Sequence, residues 1–71
     1  MMSLLDAPEG QKCRIVGSSS AGKTRARLDS LGLVPGATID VLSSNWTGII
    51  VEIKGSHLAV CRSVAKTLAV A

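Results

Sequence analysis

The sequence predicts a mainly β domain with one short helix, folded as a small closed or nearly closed barrel of about five strands. Three observations carry that expectation. Apolar residues alternate at period two in several short runs, the mark of strands with one buried face. Clusters of Gly, Pro, Ser and Asn separate those runs at close intervals. The chain has 71 residues with no Phe, no Tyr and one Trp, so its core must be built from Val, Ile and Leu. A sheet of such residues needs its edges hidden, and closure does that.

In chain order, Leu4 to Gly10 is an apolar start closed by a turn. Lys12 to Val16 alternates, Cys13 and Ile15 on one side and Lys12 and Arg14 on the other. Gly17 to Gly22 is a Ser/Gly loop. Thr38 to Val41 alternates again, with Ile39 and Val41 inward. Ser43 to Gly48 has the composition of a hairpin turn, after which Ile49, Val51 and Ile53 form the inward set of a further strand. Lys54-Gly55-Ser56 is a second tight turn. Leu58 and Val60 continue the inward set, Arg62 to Lys66 makes a short connection of one helical turn carrying Ala65 inward, and Leu68 and Val70 end the chain as a short strand.

The helix lies between Thr24 and Leu31, and the chain is organised around its end. Thr24 is placed to cap the first turn through its hydroxyl. Leu28 and Leu31, three apart, share a face and are expected to be buried. Gly32 is placed to take the left-handed conformation just past the helix, with Leu28 and Leu33 meeting across a Schellman motif. Val34-Pro35-Gly36-Ala37 reads as a type II turn, Pro presetting the first central φ and Gly supplying the positive second.

Composition narrows the function classes. The formal net charge of +3 permits an acidic partner or membrane surface but does not argue for nucleic acid. A nucleic-acid-binding barrel, the third-ranked reading, would want stacking aromatics, and Trp46 alone is a poor platform. No apolar run approaches a membrane span of about 18 residues. Met1 to Leu5 lacks the basic start and long apolar segment of a secretory signal. Cys13 and Cys61 are therefore expected as reduced thiols in the cytoplasm, Cys13 inward and Cys61 outward, and not as a disulfide.

One motif resembles chemistry. Gly17-Ser18-Ser19-Ser20-Ala21-Gly22-Lys23-Thr24 matches G-x-x-x-x-G-K-T and sits between a strand and a helix. In a phosphate loop Lys23 would reach the phosphates and Thr24 would hold magnesium. Three features argue against that role. The helix stops within about two turns, the next strand leads into hairpins and not into a β-α-β crossover, and no apolar strand ends in a magnesium-binding Asp.

His57 and Cys61, four apart, would stand about 13 Å apart on a strand, too far for one ion, and no CxxC or HxxxH set accompanies them. No metal site and no cofactor is expected. One His and the scattered acids Asp6, Glu9, Asp29, Asp40 and Glu52 give no pair of poised titratable groups, so no catalytic residues are assigned and the protein is expected not to be an enzyme.

A docking patch is the remaining candidate. By strand parity Leu42 and Ile50 point outward, flanking the hairpin whose tip carries Trp46. Two readings stand for Trp46: a partner contact, or a lid folded back over one end of an aromatic-poor barrel. Lys23, Arg25 and Arg27 cluster at the helix start, as a solvated face or as a basic rim that aids encounter with an acidic partner.

The succession Leu4, Pro8, Gly10, Arg14-Ile15-Val16, Arg27-Leu28, Leu31-Gly32-Leu33, Pro35-Gly36, Gly55, Leu58-Ala59-Val60, Ala65, Leu68 and Val70 resembles the ferrous iron transport protein A (FeoA) family across nearly the whole chain. The block from Arg27 to Gly36 is the most specific part. The resemblance implies one SH3-like domain over residues 1–71. It also implies a cytoplasmic module, peripheral at the inner face of the membrane and not inserted in it. As its partner it implies the permease FeoB, whose cytoplasmic GTP-binding domain would hold any nucleotide. Transition-metal-ion binding comes with the family. The sequence departs from the family pattern in a shorter Ser43–Gly48 hairpin and in Cys61, where a basic residue is usual. The same domain occurs at the C-terminus of diphtheria-toxin-repressor-type iron regulators, so the alternative reading is a stand-alone regulatory domain binding a protein segment.

Overall fold

Residues 2–71 are described by the structure, a computed structural model. The elements run β1 (Met2–Ser3), a single 3-10 turn (Leu4–Asp6), β2 (Lys12–Ser18), α1 (Gly22–Ser30), β3 (Thr38–Asn45), β4 (Gly48–Ile53), β5 (Ser56–Val60), α2 (Arg62–Ala65) and β6 (Leu68–Val70). The strands form one antiparallel sheet in the order β1-β6-β2-β3-β4-β5. The expected five strands are thus six, and the expected closed or nearly closed barrel is an open sheet: β1 and β5 end the order without pairing with each other.

The sheet folds on itself because β2 changes partner along its length. Lys12, Cys13 and Arg14 pair with β3, whereas Ile15, Gly17 and Ser18 pair with β6. A bulge between Ile15 and Gly17 marks the change, where the extra residue leaves the ladder and bends its strand. The inward sets read from the sequence meet in the fold. Cys13, Ile15, Ile39, Val41, Ile49, Val51, Ile53, Val60, Leu68 and Val70 are all buried, with Leu58 half-buried beside them.

Two parts of the start and end of the chain join this core. Leu4 is fully buried in the 3-10 turn, which is held by Ser3: its Oγ accepts from Leu5 N–H at 3.2 Å and donates to the Ala65 carbonyl at 3.3 Å. Ala65 is buried by the one-turn helix expected between Arg62 and Lys66. The two-residue strand β1 was not readable in advance, because its existence depends on pairing Met2 with Val70, far away in sequence.

The end of α1 follows the sequence closely. Gly32 has φ +87°, its N–H donates to the Asp29 carbonyl at 3.1 Å, and the Leu33 N–H donates to the Leu28 carbonyl at 2.9 Å. Those are the two bonds of a Schellman motif. Ala37 N–H then donates to the Val34 carbonyl at 3.0 Å with Gly36 at φ +93°, closing the type II turn.

The beginning of α1 departs from expectation. The helix starts at Gly22 with Ala21 as its N-cap and no side-chain cap bond, so Thr24 lies inside the first turn and caps nothing. Leu31 is the residue just past the last helical one and is 41% exposed, whereas Leu28 is 4% exposed. The helix buries one leucine and leaves the other at its open side. No helix among the described residues is long and apolar enough to cross a membrane.

Candidate docking surface

The hairpin between β3 and β4 is tighter than its composition suggested. β3 continues to Asn45, so only Trp46 and Thr47 make the turn. Asn45 enforces it: its Oδ1 accepts from Thr47 N–H at 2.8 Å and Gly48 N–H at 3.2 Å, a side chain standing in for backbone turn acceptors. With the turn fixed, Trp46 has nowhere to fold back. It is 84% exposed and covers no part of the core. The lid reading is therefore set aside.

Leu42 and Ile50 are brought together by a second bulge. Val41 pairs with Val51 and Ser43 with Ile50, so Leu42 and Ser43 together oppose Ile50. Leu42 is 40% exposed, and Ile50 is half-buried between the buried Ile49 and Val51. Ile50 also opens onto a groove of about 260 Å³ shared with Asn45, Thr47, Ala59 and Cys61.

The basic residues named from the sequence sit elsewhere. Lys23, Arg25 and Arg27 are all on α1, and Arg25 is engaged by Asp29 at 3.2 Å. Arg27 lines a different groove, between α1 and β5. The cation that reaches the hairpin is Arg62, whose Nη1 donates to the Asn45 carbonyl at 3.2 Å. No local pattern could have found it, since the two residues meet only when α2 packs beside the β3–β4 turn.

The phosphate-loop look-alike is built for a different task. Ser19 N–H donates to the Thr67 carbonyl at 2.9 Å, tying the loop to the start of β6. Ser18 and Ser20 hydroxyls pair at 2.6 Å, and Ser20 N–H donates to Ser18 Oγ at 3.2 Å. The N–H groups of Ser19 and Ser20 are thereby engaged within the fold. The strands flanking α1, β2 and β3, are antiparallel, so the parallel sheet that such a loop serves is not built. Titration calorimetry with magnesium and GTP or ATP should show no saturable binding; micromolar binding abolished by Lys23→Ala would overturn that expectation.

His57 and Cys61 do not converge. His57 Nε2 lies 3.6 Å from Glu52 Oε1 across the β4–β5 ladder, and Cys61 lies beyond the end of β5, preceding α2. Cys13 and Cys61 are both free thiols, one buried and one exposed. The Ser63 hydroxyl, 3.4 Å from the Cys61 sulfur, and the Val64 N–H hold that thiol below its ordinary pKa. Among the described residues, no three of His, Cys, Asp and Glu come together as a metal-ligand group.

Comparison with known proteins then decides the family. The FeoA domain model matches residues 2–71. The chain belongs to the FeoA family. An iron uptake regulatory protein (FeoA) of known crystal structure is 34% identical, with a TM-score of 0.89 over 97% of this chain and 93% of that one. The zinc complex of FeoA from Stenotrophomonas maltophilia, an SH3 domain protein, is 19% identical with a TM-score of 0.86, over 100% of this chain and 91% of that one. Zinc-bound ScaR is also 19% identical, with a TM-score of 0.88 over 99% of this chain but only 36% of that one. These last two likenesses establish the SH3-like fold. No curated protein matches the chain.

Proposed function

We propose that this FeoA-family protein is an accessory factor of ferrous iron uptake, a cytoplasmic interaction module that docks on the GTP-binding domain of a FeoB-type permease. Family membership supports the process: the 34% identical neighbour is an iron uptake regulatory protein, and the Stenotrophomonas protein is proposed as a ferrous iron transport activating factor. Exposed Trp46 at the hairpin tip is the observation that carries the docking surface. Trp is the residue type most enriched among interface hot spots, and a rigid two-residue turn presents it at little entropic cost.

In this reading Trp46, Leu42 and Ile50 make the apolar contact. Arg62 supplies a charge at the tip, and Lys23, Arg25 and Arg27 on α1 act mainly on the rate of encounter with an acidic partner. Trp46→Ala should weaken binding to the purified GTP-binding domain about tenfold or more, measured by biolayer interferometry. Because Trp46 buries nothing, the melting temperature should stay within about 2 °C of the parent. Unchanged binding would move the docking surface elsewhere, and a collapse in melting temperature would make the tip structural.

A further inference from the structure

The free edge of β5 faces α1 across an apolar groove, and the two together form a site that hairpin docking does not use. β5 ends the strand order. Its hairpin with β4 turns through Lys54 and Gly55, both at positive φ (51° and 81°), with Ile53 opposite Ser56. A two-residue hairpin of this kind closes on a hydrogen-bonded pair, and bonded and non-bonded pairs then alternate along the ladder. Leu58 and Val60 therefore turn their backbone groups toward β4. His57 and Ala59 turn theirs outward, and neither N–H finds a backbone acceptor elsewhere among the described residues.

The groove beside that edge has a volume of about 370 Å³, within the roughly 300–1,000 Å³ of ligand clefts. Leu58, Ala59 and Val60 all line it. Consecutive strand residues point to opposite faces, so a groove touching all three runs along the strand's edge. Its far wall is α1, through Arg27, Leu28 and the exposed Leu31. Arg27 is the one charged residue in the lining and makes no ion pair among the described residues.

We propose that this groove takes one extended segment of a partner polypeptide, paired as a strand with the edge of β5. Outward backbone groups at His57 and Ala59 would supply the pairing, and alternate apolar side chains would seat against Leu28, Leu31 and Leu58. A carboxylate on the segment would meet Arg27. Charge selects this occupant over a second copy of the chain, since symmetric pairing of two β5 edges would bring two basic α1 helices together with no acid in either groove lining. The proposal is independent of docking through Trp46.

The probe is the capped peptide acetyl-Glu-Thr-Leu-Thr-Val-Thr-Glu-amide, whose glutamates share a face with its apolar residues and stand at both ends so that either strand direction is served. In a 1H–15N NMR titration, the amides of His57, Ala59, Cys61 and Leu31 should shift saturably. A twin with lysines replacing the glutamates should bind at least about fivefold more weakly, a preference that Arg27→Glu should reverse. A twin N-methylated at alternate residues should lose about tenfold or more, because its edge donors are gone. Ala59→Pro removes one outward N–H and spares the β4 ladder, and should have the same effect. Trp46→Ala should leave peptide affinity unchanged, which separates this site from the permease contact. Absence of saturable edge shifts, shifts confined to the Trp46 hairpin, or equal binding of the N-methylated twin would overturn the proposal. So would self-association through the same amides without peptide.

Discussion

Gly32→Val should destabilise the domain by roughly 2–4 kcal/mol, a fall in melting temperature of about 10 °C or more for a chain this small. The penalty is conformational. A Cβ at Gly32 would meet only Ile53 Cδ1, at an ordinary 3.6 Å, so there is room for a side chain but not for its backbone. At φ +87° a β-branched residue is a strong outlier. If the variant relaxed to negative φ, the bonds from Gly32 to Asp29 and from Leu33 to Leu28 would both go, and Leu33, 2% exposed, would leave the core. Gly32→Asn should lose well under half as much, because Asn visits the left-handed region. Urea denaturation followed by circular dichroism measures both. A valine variant melting within about 2 °C of the parent would mean that the Schellman turn does not govern the end of α1.

What was legible in the sequence was what local chemistry decides. Pro35 fixes a backbone angle by its ring, and Gly32 and Gly36 permit the positive φ that other residues resist, so the helix stop and the turn after it follow from a dozen residues. The inward strand sets were legible for a related reason: period-two alternation reports a buried face whatever the partner strand is. The start of α1 was not legible. Ser18 to Thr24 offers several capping side chains, and the loop is positioned by Ser19 bonding to Thr67, a contact made in the tertiary fold. The helix starts at Gly22, after that anchor, with Thr24 in its first turn.

The misplaced expectations share that cause. Strand β1 exists through pairing with Val70, and barrel closure fails because β6 pairs with β1 and β2 while β5 pairs with β4 alone and leaves its outer edge to a groove. Neither is written in the residues of β1 or β5 themselves. The candidate surface divides in the same way. Trp46, Leu42 and Ile50 were found by parity and turn composition, which are local. Lys23, Arg25 and Arg27 belong to α1, and the structure brings Arg62 to the hairpin tip.

Leu28 and Leu31 give the sharpest contrast between the two kinds of reading. Spacing treats them alike, as one apolar face of one helix. In the structure Leu28 is the one buried residue of α1, at 4% exposure, and Leu31 is 41% exposed at the rim of the β5 groove. Leu28→Ala should cost about 2–5 kcal/mol. The low half of that range is expected, because Leu28 also borders the groove and its removal enlarges an open cleft more than it creates a sealed cavity. Leu31→Ala should cost no more than about 0.5 kcal/mol, the range of surface changes, yet should weaken binding of an extended peptide in that groove. Trp46, being exposed, is a poor fluorescence reporter here, so circular dichroism in urea is the appropriate measurement. Equal losses for the two variants would place Leu31 in the core after all. The expected split would mean that α1 is held by one leucine and offers the other to whatever lies along β5.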